Sequence, residues 1–127
     1  MSKEELENKL KQLDIEDFIW LIYIGIIIMS WYSNQLERNY FLYKDLKSKD
    51  SYRKTLIFIF AVLIVIYFYF FKGSYDDIKN LKSYDTEKKK NLTNLSFLGS
   101  LLILLSGFVF LYIAIMDEEI DVELAFN

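Results

Sequence analysis

Three long windows of this chain, residues 18–36, 55–71 and 91–116, contain no Asp, Glu, Lys or Arg, although 26% of all residues are charged. A soluble domain with that charge fraction mixes its charges into amphipathic elements. Segregation on this scale marks a chain built for lipid. Inside the windows lie three apolar cores: 18–32 (FIWLIYIGIIIMSWY), 56–71 (LIFIFAVLIVIYFYFF) and 95–116 (LSFLGSLLILLSGFVFLYIAIM). None has a polar stripe at helical spacing, so each would be greasy around its whole circumference and needs apolar material on every side.

In hydrocarbon each backbone amide must be satisfied within its own segment, which selects helices. The period-2 alternation of a membrane barrel is absent. The pattern predicts an all-α integral membrane protein in which residues 1–127 form one transmembrane domain with three transmembrane helices. At a few tenths of a kcal/mol per Leu, Ile or Phe, insertion of each span is favourable by roughly several kcal/mol. The first two cores cover only about 23–24 Å against a hydrocarbon thickness of about 30 Å, while the third covers about 33 Å. Trp20, Trp31, Tyr67 and Tyr69 sit near span ends as interfacial aromatics, and Lys54 and Lys72 are placed to snorkel outward. The first 17 residues hold six acids and three lysines, unlike a cleavable signal peptide, so the first span is expected to be retained.

Outside the spans, residues 1–17 read as an amphipathic helix. Ser2 and Glu5 fit a capping box, and Leu6, Leu10 and Leu13 share one face. Because the segment is net acidic, that face is expected to meet protein rather than anionic lipid. Residues 33–54 lack Gly and Pro and place Leu36, Tyr40 and Tyr43 on one face, as if the first helix ran on; Asp50-Ser51 is the expected turn. In residues 72–94, Lys72-Gly73 is expected to end the second helix. Ser74 would then cap a short interfacial helix with Asp77 at its third position and Tyr75, Ile78 and Leu81 on its buried face. The tail, 117–127, has five acids and no base. It lacks the glycine turn and spacing of a calcium loop and reads as a solvated segment.

Lys and Arg number nine on the side of the N-terminus and second connection, against six on the side of the first connection and tail. The positive-inside rule therefore predicts a multi-pass cell-membrane protein with a cytoplasmic N-terminus and the C-terminus outside. Basic residues flank residues 56–71 on both sides, so a re-entrant second segment is the competing topology, although that run has no Gly or Pro to turn on. The triplets at Asn91 and Asn94 match the glycosylation pattern, but they lie close to a span and read as chance.

The residues needed for chemistry are largely missing. Without Cys or His the chain has no thiolate, no imidazole base and no common transition-metal ligand besides carboxylates. Only four glycines are present, too few for a phosphate loop, and a net charge of −3 offers nothing to nucleic acid. No intramembrane charge marks a transport path. Asp76 with Asp77, or Asp85 with Glu87, could be posited as the acids of a lipid enzyme, but they read as surface charges. No catalytic residue, cofactor or metal is expected.

The pattern that stands out is a helix-packing face on the third span. Ser100, Gly107 and Ala114 recur every seven residues, with Ser96 four before Ser100, and small residues let helices approach closely in lipid. This face is expected to pack either a partner or the chain's own helices, with Gly25 as the internal counter-surface and the second span turned to lipid. The functional expectation is a non-enzymatic accessory, assembly or interaction subunit of a bacterial or viral membrane, acting as a homo-oligomer or with another membrane protein. The bacterial or viral source is read from the AT-rich codon bias that abundant Ile, Lys, Asn, Tyr and Phe imply. The alternative is a holin-like pore, with Ser96, Ser100, Ser106 and Tyr112 wetting a lumen.

Overall fold

The structure is a computed structural model and describes residues 2–124. The described residues form three helices, α1 (Lys3–Tyr43), α2 (Leu46–Lys79) and α3 (Glu87–Met116). At 1.5 Å per residue they are about 61, 51 and 45 Å long.

The capping box forms as read. Ser2 Oγ accepts from the Glu5 amide at 3.1 Å, and Glu5 Oε2 accepts from the Ser2 amide at 3.3 Å. Residues 3–17 are nonetheless not a separate helix, since α1 runs unbroken from there through the apolar core and on to Tyr43. The α1–α2 corner is two residues long and lies at Lys44-Asp45 rather than at Asp50-Ser51. Lys44 takes the left-handed conformation (φ 55) and its amide closes on Tyr40 O at 2.8 Å. Asp45 then caps α2, accepting from the Lys47 amide at 3.1 Å and the Ser48 hydroxyl at 2.8 Å. Asp50 is already helical and pairs with Lys54 one turn on, at 2.9 Å.

The expected helix break at Gly73 is also absent. α2 passes straight through it, and Ser74 is buried mid-helix, donating to Phe70 O at 3.1 Å. The short interfacial helix is therefore the last two turns of α2. The chain turns only at Asn80, and Asp85 accepts from the Lys82 amide at 2.7 Å before Thr86 caps α3 through the Lys89 amide at 3.1 Å. α2 is one continuous helix, with no turn inside its apolar run.

α2 is the centre of the fold. α1 packs on one side of it and α3 on the other, and no Cα of α1 comes within 8 Å of one in α3. The core accordingly draws most on α2, with Tyr52, Leu56, Ile59, Phe60 and Leu63 joined by Ile26 and Leu36 of α1 and Ala114 of α3. The second span is thus not the peripheral helix expected, although a third of its apolar window is buried and the rest stays uncovered. With two short connections and three antiparallel helices in a row, the middle helix is the one sequestered from both sides.

Two helices, α2 and α3, are long and apolar enough to cross a membrane; α1 is not. The apolar run of α1 is 15 residues, diluted by Gly25, Ser30 and the half-polar Trp20, Tyr23, Trp31 and Tyr32, and bounded by Glu16-Asp17 and Asn34-Gln35.

Residues 117–124 keep Glu118, Glu119, Asp121 and Glu123 exposed, as a solvated segment would, but the segment is anchored and not free. Asp117 accepts from the Asp121 and Val122 amides at 3.0 and 2.8 Å, turning the chain back over the end of α3. Leu124 is then buried against Tyr52, Leu56 and Ala114. Ile120 adopts a left-handed φ of 56, which a β-branched residue holds only where surrounding contacts impose it. Residues 125–127 of the expected tail lie outside the described residues.

Candidate functional site

Three of the four small residues singled out on α3 lie against α2. Ser100 Oγ is 2.7 Å from Ser74 Oγ. A methyl group at Gly107 would sit 3.1 Å from Tyr67 Cδ2 and 3.2 Å from Ile64 Cγ1, so the absent side chain is what admits the Tyr67 ring. Ala114 is buried in the core cluster. Ser96 is exposed. Gly25 is not the counter-surface: nothing lies within 4 Å of where its Cβ would be. The surface that meets α3 is Ile64, Tyr67 and Ser74 of α2, with ring contacts between Phe60 and Phe110, Phe68 and Phe108, and Phe71 and Phe97 at 5.2–5.8 Å along the seam.

Because α1 and α3 do not meet, a cleft opens between them over the C-terminal half of α2. Its inner part is a cavity of about 280 Å³ lined by hydroxyl groups from all three helices: Tyr23, Tyr67, Ser74, Ser96 and Ser100. Ser74 uses its proton on Phe70 O, so Ser100 is the donor in the serine pair. Tyr23, Tyr67 and Ser96 make no side-chain hydrogen bond among the described residues. The cleft continues outward into a second cavity of about 510 Å³ bordered by Gln12, Lys72, Asp76 and Asp77, with Ser74 and Ser96 shared between the two. Asp76 is partly buried, yet neither it nor Asp77 or Lys72 has an ion-pair partner among the described residues.

A polar cluster closes the opposite end. Lys49 Nζ pairs with Glu119 Oε2 at 3.0 Å and lies 5.2 Å from the centre of the Tyr40 ring. Arg53 Nη2 donates to Ile115 O at 2.9 Å, placing a cation on the carbonyl end of α3, while its Nε is buried without a partner. Burial pushes the Glu37 carboxyl up from its ordinary range; a hydrogen bond from Tyr52 works against that, and the charge of Glu123 adds to it. The Glu119 carboxylate raises Lys49, as expected of an ammonium beside an acid. Ser48 and the backbone amides at the corner lower Asp45.

These groups sit at helix ends and connections. Among the described residues no three acids, histidines or cysteines converge as a metal site would require. Asp85 is occupied as a turn acceptor and is lowered first by the Lys82 amide and then by Lys89. Glu87 meets Lys90 at 3.8 Å on the surface. Sequence reading missed the cleft because a groove between helices depends on which pairs fail to pack. The hydroxyls that line it were legible one by one, but not as a group. No protein-family model, no curated protein and no solved structure matches this chain.

Proposed function

We propose that this chain is a polytopic membrane protein acting as a non-enzymatic accessory, assembly or interaction subunit of a bacterial or viral membrane. The observation that carries the membrane reading is how little of its apolar surface is covered. Only 33% of the apolar window of α2 and 17% of that of α3 is buried, whereas the core helix of a soluble protein is mostly enclosed. Leu102, Leu105, Val109 and Tyr112 of α3 and Val65 of α2 are exposed, as are Leu21, Ile24, Ile28 and Trp31 of α1. Such a belt far exceeds the apolar patches that a water-soluble monomer tolerates.

α1 is taken as the third crossing for a geometric reason. It packs antiparallel along α2, with Ile19 and Ile26 buried, so a bilayer around α2 also surrounds the apolar middle of α1. Its shortfall in length is met by Trp20 and Trp31 at the interface and by local thinning. Three crossings with nine basic residues on the N-terminal side favour a cytoplasmic N-terminus and put the C-terminus outside.

The interaction role rests on the missing chemistry together with uncovered helix surface beyond the apolar belt. Leu6, Leu10 and Leu13 form an exposed face on the acidic first turns of α1. Of the four residues that the holin-like alternative would place in a lumen, Ser96 and Tyr112 are exposed, while Ser100 and Ser106 spend their hydroxyls on Ser74 and Ile103 O.

Alkaline carbonate extraction tests the first half of the proposal. The protein should stay in the membrane pellet and be released only by detergent; release by carbonate alone overturns it. Affinity purification in mild detergent tests the second half, with recovery of a second protein or a homo-oligomer expected. A lone monomer counts against an interaction role.

A further inference from the structure

We propose that the cleft between α1 and α3 binds one phospholipid whose headgroup carries a cationic amine. This rests on the membrane reading above and adds a ligand to it. The argument begins with register. Tyr23 lies five residues inside the start of the apolar run of α1, Tyr67 five residues before Lys72 ends that of α2, and Ser96 and Ser100 in the first turns of the apolar run of α3. Three helices thus bring hydroxyls to one level, within about 8 Å of the hydrocarbon boundary. The cavity they line holds about 280 Å³.

At that depth a donor without a partner is costly, because hydrocarbon supplies no acceptor. Tyr23, Tyr67 and Ser96 have none among the described residues. The ester carbonyls of a glycerophospholipid border the hydrocarbon and only accept, so a lipid seated in the cleft can bring them down to these donors. Phe70 and Ile103, which also line the cavity, suit the first methylenes of the chains.

The mouth sets the headgroup. Asp76 and Asp77, without an ion-pair partner among the described residues, border it with Lys72, and Asp77 also borders an adjoining cavity lined by Lys88 and Lys89. Two carboxylates and one ammonium complement a phosphate joined to an amine, with the phosphate at Lys72 and the amine at the aspartates. A headgroup such as glycerol brings the same phosphate but no amine, and leaves the two aspartates uncompensated.

The test is native mass spectrometry of the full chain released from mild detergent, titrated with phosphatidylethanolamine and phosphatidylglycerol of identical acyl chains. One bound lipid is expected, retained about tenfold better with the ethanolamine headgroup. Tyr23→Phe with Tyr67→Phe keeps the shape of the cavity and removes two donors, and should weaken retention about fivefold per hydroxyl. Asp76→Asn with Asp77→Asn should keep binding but abolish the headgroup preference. No retained lipid, or equal retention by wild type and the phenylalanine pair, overturns the site. Equal retention of both lipids by wild type overturns the headgroup assignment. A protein that fails carbonate extraction loses both readings, whereas one that stays in the membrane but retains no lipid loses only this one.

Discussion

Ser74 of α2 and Ser100 of α3 share a 2.7 Å hydrogen bond in which Ser100 is the donor, because Ser74 has already given its proton to Phe70 O. The pair fixes the register of two helices along a seam otherwise made of rings and aliphatic side chains, which can slide past one another at little cost. It also keeps α2 helical through Gly73, where local sequence favours a stop. Interhelical hydrogen bonds in membranes contribute modestly, so Ser100→Ala should cost about 0.5–1 kcal/mol. A double-mutant cycle with Ser74→Ala, followed by titrating mixed micelles with a denaturing detergent, should return a coupling of about 0.6 kcal/mol. Strict additivity would show that the contact contributes nothing.

Gly107 and Gly25 offer a matched contrast, since both are mid-helix and both lie in apolar runs. A side chain at Gly107 meets Tyr67 and Ile64 at 3.1–3.2 Å, whereas one at Gly25 meets nothing within 4 Å. Gly107→Leu should therefore separate α2 from α3 and lower stability by about 2–3 kcal/mol through overpacking. Gly25→Leu should be neutral or slightly stabilising, since it removes a helix-unfavourable glycine. Cysteine cross-linking between positions 64 and 107 cannot be combined with Gly107→Leu, so the readout is cross-linking of Phe60→Cys with Phe110→Cys, which should fall only in the Gly107→Leu background. Equal effects from the two glycines would contradict the assigned packing face.

How far the sequence reaches is visible in these same residues. The helical class, the three apolar runs and the Ser2–Glu5 capping box all follow from local pattern, and so does the small-residue spacing on α3. Local pattern failed where tertiary contacts override it. Gly73 looks like a C-cap until Ser74 is seen bonded across to Ser100, whereas at Asp50-Ser51 the helix continues through a local pair, Asp50 with Lys54 one turn on. The corner did carry a signal, an Asp at position 45 followed by Ser48 three residues on, but it was overshadowed by the more conspicuous turn candidate. The counter-surface of Gly107 and the cleft were not legible at all. Both depend on α2 lying between α1 and α3, and hydrophobic runs of similar character do not specify which helix is central.

Glu37 makes the stability of the α1–α2 corner region depend on pH. Its carboxyl is raised by burial, opposed by the Tyr52 hydrogen bond and reinforced by Glu123. A raised acid favours the folded state most when protonated, so its contribution is complete below the ordinary Glu range and is lost as pH rises through the elevated value. Asp45 and Asp85 act in the opposite sense. Both are lowered, so their contributions are present above the ordinary Asp range and vanish as pH falls through the depressed values. Glu37→Gln should therefore stabilise the protein at neutral pH and remove the decline between mildly acidic and neutral conditions, leaving the acid limb intact. Thermal denaturation in detergent from pH 4 to 8 reads this directly; an unchanged profile in Glu37→Gln would show that Glu37 is not the titrating group.

The segment after α3 is held by three different kinds of contact, which can be removed separately. Leu124 is 6% exposed and packs in the core cluster. Asp117 holds the Asp121 and Val122 amides, and Lys49 pairs with Glu119, whose side chain is 68% exposed. Burial of an aliphatic side chain outweighs an ion pair that water can reach, which contributes at most about 1 kcal/mol. Leu124→Ala should therefore release the segment at a cost of about 2 kcal/mol, the low end for a leucine truncation because it sits at the edge of the core. Lys49→Ala should have a much smaller effect. Asp117→Ala should fall between them, since two amides lose their acceptor but both lie where water can replace it. Hydrogen exchange at the Asp121 and Val122 amides compares Leu124→Ala with Lys49→Ala, while Asp117→Ala, which removes the acceptor of those amides, is compared by thermal denaturation in detergent. Faster exchange in Lys49→Ala than in Leu124→Ala would mean that charge, and not the buried leucine, holds the segment against the helices.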